Sequence, residues 1–280
     1  MFATAVPKAT QEEAPSWYLD PLVAAQKREV HQNWIRAAVG RRPDATVLKT
    51  DLFEEANGED RIFHDLFPNM RLGVGLDINA RTVTNAVRHG RGAFEGMTCD
   101  VRRLALPDES VDVVISTSTL DHFDDKQEIV LSLQEMGRVV RPGGIMIVTL
   151  DNPGNPFYYI LKWITQRGWT PFSLGATLSM AELEEILIEQ GFVVEKTGYL
   201  IHNPRLLSTG LFVALRRLLR RHADAPIRML LHAFSSLGSL PSRCLTGCFV
   251  AVSAVKPACV ELVTASDATV AAHEAEPSYV

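Results

Sequence analysis

The chain has 280 residues, with 28 basic and 33 acidic side chains and a net charge of −5 at neutral pH. This length is sufficient for one large domain with a substantial core. The slight acidic excess gives no electrostatic reason to expect a nucleic-acid partner. The four cysteines form no CxxC pair and no histidine cluster accompanies them, so neither a disulfide framework nor a metal site is predicted.

The ends of the chain differ in composition from its middle. Residues 1–15 carry proline and charge without an apolar core, so they predict a disordered leader rather than a signal peptide or a membrane anchor. Residues 258–280 are small and polar and predict a disordered tail. No apolar run approaches a membrane-spanning length, so we expect a cytoplasmic protein whose folded domain covers residues 16–257.

The first half of the chain alternates helical and extended patterns. Apolar residues recur three or four apart from Trp17 to Val39, which predicts an amphipathic helix. Buried strands are predicted at Thr46–Thr50 and Leu72–Ile78, with a short helix at Asn57–Leu66 between them. Asn79 is a plausible N-cap for the next helix. A weaker strand, Ala93–Cys99, ends at Asp100.

One βαβ unit dominates the middle of the sequence. Two β-branched runs, Val111–Thr117 and Ile145–Leu150, predict strands buried on both faces of a parallel sheet. Between them Lys126–Val140 has helical spacing of apolar residues. The segment Arg141–Gly144, with sequence RPGG, predicts the turn that ends this helix, because proline cannot continue it and glycine permits the turn.

The C-terminal half has one clear helix and two strands. Ser179 and Glu182 form a capping-box pattern at the start of a helix predicted over Ser179–Gln190. Strands are predicted at Phe192–Leu200 and Thr246–Val255. Between them lies a helical insertion, about residues 205–240, whose first part is basic and amphipathic. This insertion is interpreted as a lid, with peripheral contact to an anionic membrane as the alternative.

Polar residues follow the predicted strands at successive strand ends. Alternating strands and helices favour an open, doubly wound α/β sheet, in which ligands bind at the carboxyl ends of the strands. The residues at those ends are Asp51, Asp77, Asp100, Ser116 and Asp151. No GxGxxG motif supports a dehydrogenase and no GxSxG motif supports an α/β-hydrolase.

Three segments, GVGLDIN, CDVRRLALPDESVDVVISTSTLDHF and RVVRPGGIMIVTL, resemble the class I S-adenosylmethionine-dependent methyltransferases of the type 11-like group. The resemblance covers residues 46–151 and extends more loosely to Val255. It implies a mostly parallel, seven-stranded, Rossmann-like sheet with an antiparallel last strand, an N-terminal helix and the lid before that strand. It also implies S-adenosylmethionine as the cofactor.

The resemblance also implies roles for individual residues. Asp77, followed by Ile78, would hold the ribose hydroxyls of the cofactor. Asp100 would meet the adenine amino group and Val101 would add its backbone amide. The stretch from Ser116 and Thr117 to His122 would line the methionine end of the cofactor. A carboxylate that accepts two hydroxyl hydrogen bonds makes stronger contacts than a neutral acceptor would.

The region after the first strand departs from the family, which has a glycine-rich loop there. Its sequence is VLKTDLFEEANGED, without glycine before Gly58. Either Thr50, Asp51 and Gly58 bind the cofactor along another path, or the pocket is altered. Lys49 and Asp51 are candidates for holding the cofactor's carboxylate and ammonium groups; alternatively, Lys49 belongs to a solvated cluster with the two glutamates of this segment.

The predicted reaction is methyl transfer to a small-molecule acceptor, with O-methylation favoured. A hydroxyl acceptor needs a base, and His122 is the candidate, with Asp121 either orienting it or pointing away. Alternatively His122 only shapes the pocket. His202 is a second candidate, or else a turn residue. The class alternative is a catalytically silent scaffold. Aromatic residues that precede the insertion predict a roof over a hydrophobic acceptor or an ordinary apolar layer: Phe157, Tyr158, Tyr159, Trp163, Trp169 and Phe172.

Overall fold

The computed structural model describes residues 20–57, 61–169 and 174–258, apart from the side chain of Leu206. The predicted leader and all but the first residue of the predicted tail lie outside these residues, as does Gly58. Seven strands of the described chain form one sheet: β1 (Thr46–Thr50), β2 (Leu72–Asp77), β3 (Glu95–Thr98), β4 (Val111–Thr117), β5 (Val140–Asp151), β6 (Val193–Leu200) and β7 (Phe249–Val255).

The sheet is mostly parallel, as the sequence predicted. Its strand order is β3-β2-β1-β4-β5-β7-β6. Neighbouring strands from β3 to β5 pair in parallel. The last strand, β7, runs antiparallel between β5 and β6. The strand order reverses between β1 and β4. In open α/β sheets, ligands bind at the carboxyl ends of the strands beside such a reversal.

Helices cover both faces of the sheet. The α-helices of the described residues are α1 (Pro21–Val39), α2 (Phe53–Ala56), α3 (Ile62–Leu66), α4 (Ala80–Gly90), α5 (Lys126–Val139), α6 (Pro156–Gln166), α7 (Met180–Glu189), α8 (Arg205–Leu219), α9 (Asp224–Ser236) and α10 (Arg243–Thr246). The predicted capping box is confirmed: Ser179 and Glu182 close the start of α7 through reciprocal hydrogen bonds.

Adjacent residues of the central strands enter opposite halves of the core. Leu48 and Val114 pack with α5 and α7, whereas Val47 and Val113 pack with α1 and α4. All four side chains are fully buried. This two-sided burial explains why these strands read as continuous apolar runs instead of alternating ones. Each such side chain contributes about 1.5–3 kcal/mol through burial.

The structure differs from the sequence prediction most clearly at three places. The RPGG segment does not form a separate turn: β5 begins at Val140, and its register with β4 shifts before Ile145, so the extra residues bulge within the strand. The helix predicted at Asn57–Leu66 is instead the pair α2 and α3, on either side of residues 58–60. Finally, β7 begins at Phe249, since the preceding residues form α10.

The insertion between β6 and β7 is helical, as predicted, but it is not one continuous helix. A 3₁₀ turn, Arg220–His222, separates α8 from α9. A small apolar cluster containing Phe212 and Ile227 packs this pair against Leu22 and Val23 of α1. The insertion therefore rests on the N-terminal helix. Within the described residues, no helix combines the length and apolarity required to cross a membrane.

Candidate active site

Parallel pairing brings the carboxyl ends of four strands to one edge of the sheet. Thr50, the last residue of β1, lies opposite the residue before Asp77 on one side and opposite Ser116 on the other. Asp77 itself lies opposite Thr98 of β3, two residues before Asp100. Most of the residues predicted from the strand ends are thus neighbours in space. The sequence nevertheless separates Thr50 from Ser116 by 66 positions.

Asp77 is held by two backbone amides. The amide of Asn79 donates to Oδ1 at 2.8 Å, and the amide of Leu52, in the loop after β1, donates to Oδ2 at 3.2 Å. Burial raises the pKa of this carboxyl, and the nearby Asp51 carboxylate raises it further against the lowering by the amides. Each oxygen keeps a second lone pair for a ligand hydroxyl.

The loop after β1 has no glycine among its described residues, Asp51 to Asn57. Asp51 takes φ = 69°, in the left-handed region that aspartate tolerates better than most residues. Its Oδ1 accepts the amide of Phe53 at 2.7 Å. The buried side chain of Leu52 lies against Gly75 of β2, where an added Cβ would stand 2.6 Å from Leu52 Cδ2. Gly75 therefore allows the loop after β1 to pack closely against β2.

Lys49 forms a buried ion pair. Its Nζ donates to Glu55 Oε2 at 2.9 Å, and both side chains are 3% exposed. It also donates to the carbonyl of Asp51 at 2.6 Å. The alternative of a solvated cluster is therefore wrong for Lys49 and Glu55; burial of such a pair requires these compensating bonds. A direct role of Lys49 with the cofactor stays a prediction.

Asp100 is held in a different way, by the side chain of Arg102. The guanidinium donates to both carboxylate oxygens, at 3.0 Å from Nε to Oδ1 and 2.5 Å from Nη2 to Oδ2. These side-chain bonds lower the pKa of Asp100. Arg102 also pairs with Glu128 and stacks over the ring of Phe123, 5.2 Å from its centroid. Val101, between them, is buried.

The end of β4 presents hydroxyl groups. Ser116 is fully buried and its Oγ has no hydrogen-bond partner within the described part of the chain. Thr117, which follows, is half-buried. Thr119 Oγ1 lies 3.1 Å from Thr50 Oγ1, which joins this turn to the end of β1. A buried hydroxyl without a partner costs stability, so a ligand atom that satisfied Ser116 would be favoured.

Two buried carboxylates, Asp121 and Asp151, lie near the carboxyl ends of β4 and β5. Asp121 Oδ2 accepts the amide of Asp151 at 3.0 Å and the hydroxyl of Ser118 at 3.1 Å, while Oδ1 has no partner among the described residues. Burial and then the Asp151 carboxylate raise the pKa of Asp121 to about 6. Arg205, from the insertion, donates to Asp151 at 2.7 Å.

The two predicted histidines occupy different surroundings. His122 is exposed in the 3₁₀ turn after β4, and the hydrogen bonds of Asp121 go to other groups than its ring. His202 is buried: Nε2 lies 3.1 Å from the Tyr199 carbonyl and Nδ1 lies 2.8 Å from Thr246 Oγ1. Because a carbonyl only accepts, Nε2 carries the proton and Nδ1 accepts from the hydroxyl. His202 therefore has no nitrogen available to act as a base.

The aromatic helix α6 is only partly buried. Tyr158 and Leu161 pack with Leu174, while most of the other predicted roof residues are exposed. Burial, with the carboxylates of Asp151 and Asp121, raises the pKa of Tyr158. A shallow pocket beside Tyr158 is lined by Asp151 and Arg205 and lies between α6 and the start of α8. Phe172 lies outside the described residues.

Sequence reasoning missed Arg102 and Arg205. The D-x-R spacing of Asp100 and Arg102 was a local signal for the first, since a side chain two residues after an aspartate can return to it. Nothing in the sequence pairs Arg205 with Asp151, because 54 positions separate them and only the fold brings them together.

Comparison with known proteins finds methyltransferases that are similar to part of this chain. Residues 56–148 match the model described as "Methyltransferase domain". A probable S-adenosylmethionine-dependent methyltransferase of Mycolicibacterium smegmatis is 30% identical over 175 residues, which cover 55% of this chain and 57% of that protein. A probable tRNA methyltransferase 9B of Homo sapiens is 37% identical over 62 residues, 22% of this chain and 13% of that protein.

The fold has solved counterparts. A putative sarcosine dimethylglycine methyltransferase of Galdieria sulphuraria aligns with a TM-score of 0.56 at 17% identity, covering 84% of this chain and 87% of that one. The chain spans little more than half the length of the mycobacterial relative and far less of the human one. The matches therefore identify a domain and a fold.

Proposed function

We propose that this chain, which carries a class I S-adenosylmethionine-dependent methyltransferase domain, binds S-adenosylmethionine at the carboxyl edge of β1 to β4 and methylates a small-molecule acceptor. The observation that carries the proposal is Asp77. Its carboxylate is fixed by the amides of Leu52 and Asn79 and keeps lone pairs for two hydroxyl groups. A vicinal diol such as a ribose matches that arrangement.

The residues around Asp77 fit the rest of the cofactor. Ile78, the residue after Asp77, is 68% exposed and offers an apolar surface to the adenine ring of the cofactor. Ser116 supplies a buried hydroxyl in need of a partner, at the position proposed for the methionine end. When bound, S-adenosylmethionine supplies a methyl group on a positively charged sulfur. The acceptor lone pair attacks this methyl carbon in line with the carbon–sulfur bond, and S-adenosylhomocysteine leaves. The chain's part is then to align the acceptor and to take up its proton.

One residue must move for the adenine contact to form. Arg102 makes two hydrogen bonds to each carboxylate oxygen of Asp100, so Asp100 can accept from an adenine amino group only if the guanidinium gives up part of this contact. The contact of Arg102 with Asp100 is also the observation that favours the second candidate function, a binding or scaffold protein without turnover. A silent protein would keep Asp100 closed whatever the cofactor concentration.

For the acceptor we propose a hydroxyl, with His122 as the base. The ring is exposed beside the end of β4, so it is accessible to an acceptor without rearrangement. Exchange of His122 for glutamine should slow turnover with a hydroxyl acceptor about a hundredfold, while cofactor affinity persists. A loss under about threefold would assign His122 to packing instead. The acidic net charge argues against an RNA acceptor.

The basic end of α8 bears on partners. Arg216 pairs with Asp20 of α1 and Asp224 of α9, which supports a lid resting on α1. Leu207 and Leu218 are nevertheless more than half exposed. We propose a lid without membrane contact. Sedimentation with anionic vesicles at low salt should leave the protein in solution; co-sedimentation that is lost after changing Arg217, Arg220 and Arg221 to glutamine would contradict this.

The decisive experiment is calorimetry with S-adenosylhomocysteine. Wild-type protein should bind it, and Asp77→Asn should weaken binding about tenfold to a hundredfold, since hydrogen bonds to a charged acceptor are lost. The matched control is Asp44→Asn. Asp44 lies at the opposite end of β1, is exposed and has a positive φ of 59° that asparagine also tolerates. Equal affinity of Asp77→Asn and wild type, or no heat at all, would refute the assignment.

A further inference from the structure

A cavity of about 220 Å³ lies at the end of β6, between α1 and the helical insertion. We name it the α1–β6 cavity. Its walls include Gln26 and Val30 of α1, His202 and Asn203 after β6, and Phe234 and Ser235 of α9. Every one of these residues lies outside the segment 56–148 that matches the methyltransferase domain.

Among the buried polar side-chain atoms that line this cavity in the described chain, only one lacks a hydrogen-bond partner. Gln26 Nε2 donates to Ser235 Oγ at 2.7 Å, and that hydroxyl donates to the carbonyl of Leu231 at 2.9 Å. Both ring nitrogens of His202 are engaged, as described above. Asn203 is 5% exposed, and its Oδ1 has no partner among the described residues.

The single unmet atom is an acceptor. Asn203 Nδ2 donates to Ser208 Oγ at 3.4 Å, and Ser208 Oγ in turn donates to the carbonyl of Arg205 at 3.3 Å, which leaves Oδ1 as the end of the amide without a partner. An unsatisfied buried carbonyl oxygen costs stability unless a donor reaches it. The remaining wall is apolar, with contributions from Val30, Leu200 and Phe234.

The backbone at the cavity is strained as well. Ile201, which lines it, has φ = 56°. This region is costly for a β-branched residue, and such strain is maintained only where the surrounding structure enforces it. The strain turns the chain out of β6 and places His202 and Asn203 at the cavity wall.

From these observations we infer that the α1–β6 cavity binds a small, mainly apolar molecule that carries one hydrogen-bond donor, which Asn203 Oδ1 accepts. An engineered cavity of about 150 Å³ holds benzene, so the volume here suits a molecule of two fused rings. The inference goes beyond the proposed methyl transfer and does not depend on it, because none of the residues assigned to cofactor binding lines this cavity.

Indole and indene test the inference, because they share shape and only indole has an N–H group. Ligand-observed NMR titration of the full chain should show that both bind and that indole binds about fivefold to tenfold more tightly, the value of one hydrogen bond. Asn203→Leu should remove this preference by weakening indole alone. Val30→Phe should weaken both ligands by filling the cavity.

The matched control is Val193→Phe, the same exchange at an exposed position at the start of β6, which should change neither affinity. Thermal melting of each variant checks folding, and Val30→Phe with indene gives a readout that does not depend on Asn203. Absence of binding by either probe, or unchanged affinities in Val30→Phe, would overturn the site. Equal affinities of indole and indene in the wild type would overturn the role of Asn203.

Discussion

The turns that follow β2 and β3 begin alike and end differently. In each, an aspartate accepts the backbone amide two residues ahead: Asn79 donates to Asp77 at 2.8 Å, and Arg102 donates to Asp100 at 2.9 Å. After β2, the side chain of Asn79 turns away and caps α4 through Oδ1. After β3, the side chain of Arg102 turns back and occupies the carboxylate.

The difference lies in the identity of one residue per turn. Asn79, two residues after Asp77, has a short side chain that caps α4 and leaves the Asp77 carboxylate open to a ligand. Arg102, two residues after Asp100, has a long cationic side chain that competes with a ligand for the Asp100 carboxylate. The apparent affinity of a site falls by the fraction of time that it is closed. The two turns are therefore an internal comparison of an open and a closed carboxylate, and exchanging their third residues should exchange their behaviour.

The largest effect is expected from closing the open turn. Asn79→Arg should lower the affinity for S-adenosylhomocysteine about tenfold, since the new guanidinium can pair with Asp77 as Arg102 does with Asp100. It should also cost about 1 kcal/mol of stability through the lost cap of α4. Asn79→Ser is the control: it retains a capping oxygen and should change affinity by less than about twofold. Calorimetry and urea unfolding measure the two effects.

Opening the closed turn should have a smaller effect of opposite sign. Arg102→Ser frees Asp100, and affinity should rise about threefold, because an ion pair whose side chains are about a third exposed is worth only about 0.2–1 kcal/mol. The exposed neighbour Arg103 supplies the control, and Arg103→Ser should leave affinity unchanged. Weaker binding by Arg102→Ser would instead mean that the guanidinium contributes to holding the cofactor.

The smallest effect concerns pH. The pKa of Asp77 is raised above its ordinary 3.8 in the folded chain, so its carboxylate costs stability as the pH rises through the window above 3.8. The pKa of Asp100 is lowered, so it contributes stability above 3.8 that is lost as the pH falls through the folded value.

Urea unfolding at pH 3 and pH 7 separates these two signs. The stability lost in Asp100→Asn should be larger at pH 7 than at pH 3, and that lost in Asp77→Asn should be smaller at pH 7. Each change should be under about 1 kcal/mol, because Asp100 is about a third exposed and solvent screens it. Slopes of the same sign for both variants would remove the contrast between the turns.

Sequence patterns predicted the sheet well because the signals are local. The spans Thr46–Thr50 and Val111–Thr117 agree with β1 and β4 to the residue, since burial on both faces selects continuous β-branched runs. The start of β5 was wrong, because pairing with β4 extends the strand through a proline and two glycines that normally signal a turn. Tertiary pairing prevailed over local preference there.

Details of the site were less predictable. The positions of Asp77 and Asp100 followed from strand ends, but their availability depends on where the Arg102 side chain turns, which spacing alone does not determine. The left-handed backbone at Asp51 and the burial of the Lys49 ion pair depend on Gly75 and on the packing of the loop after β1. Those features belong to the assembled fold.

The position of β7 has a consequence for the order in which the chain can fold during synthesis. This strand lies between β5 and β6 and contributes Phe249 to the same cluster as Trp34 of α1. The packing of α1 is therefore complete only after residues about 200 positions later have been synthesised, which takes roughly 10–40 s at ordinary rates of translation. Until β7 has left the ribosome, β6 has no partner strand in this sheet and the edge of β5 is open, so the sheet can close only late in synthesis.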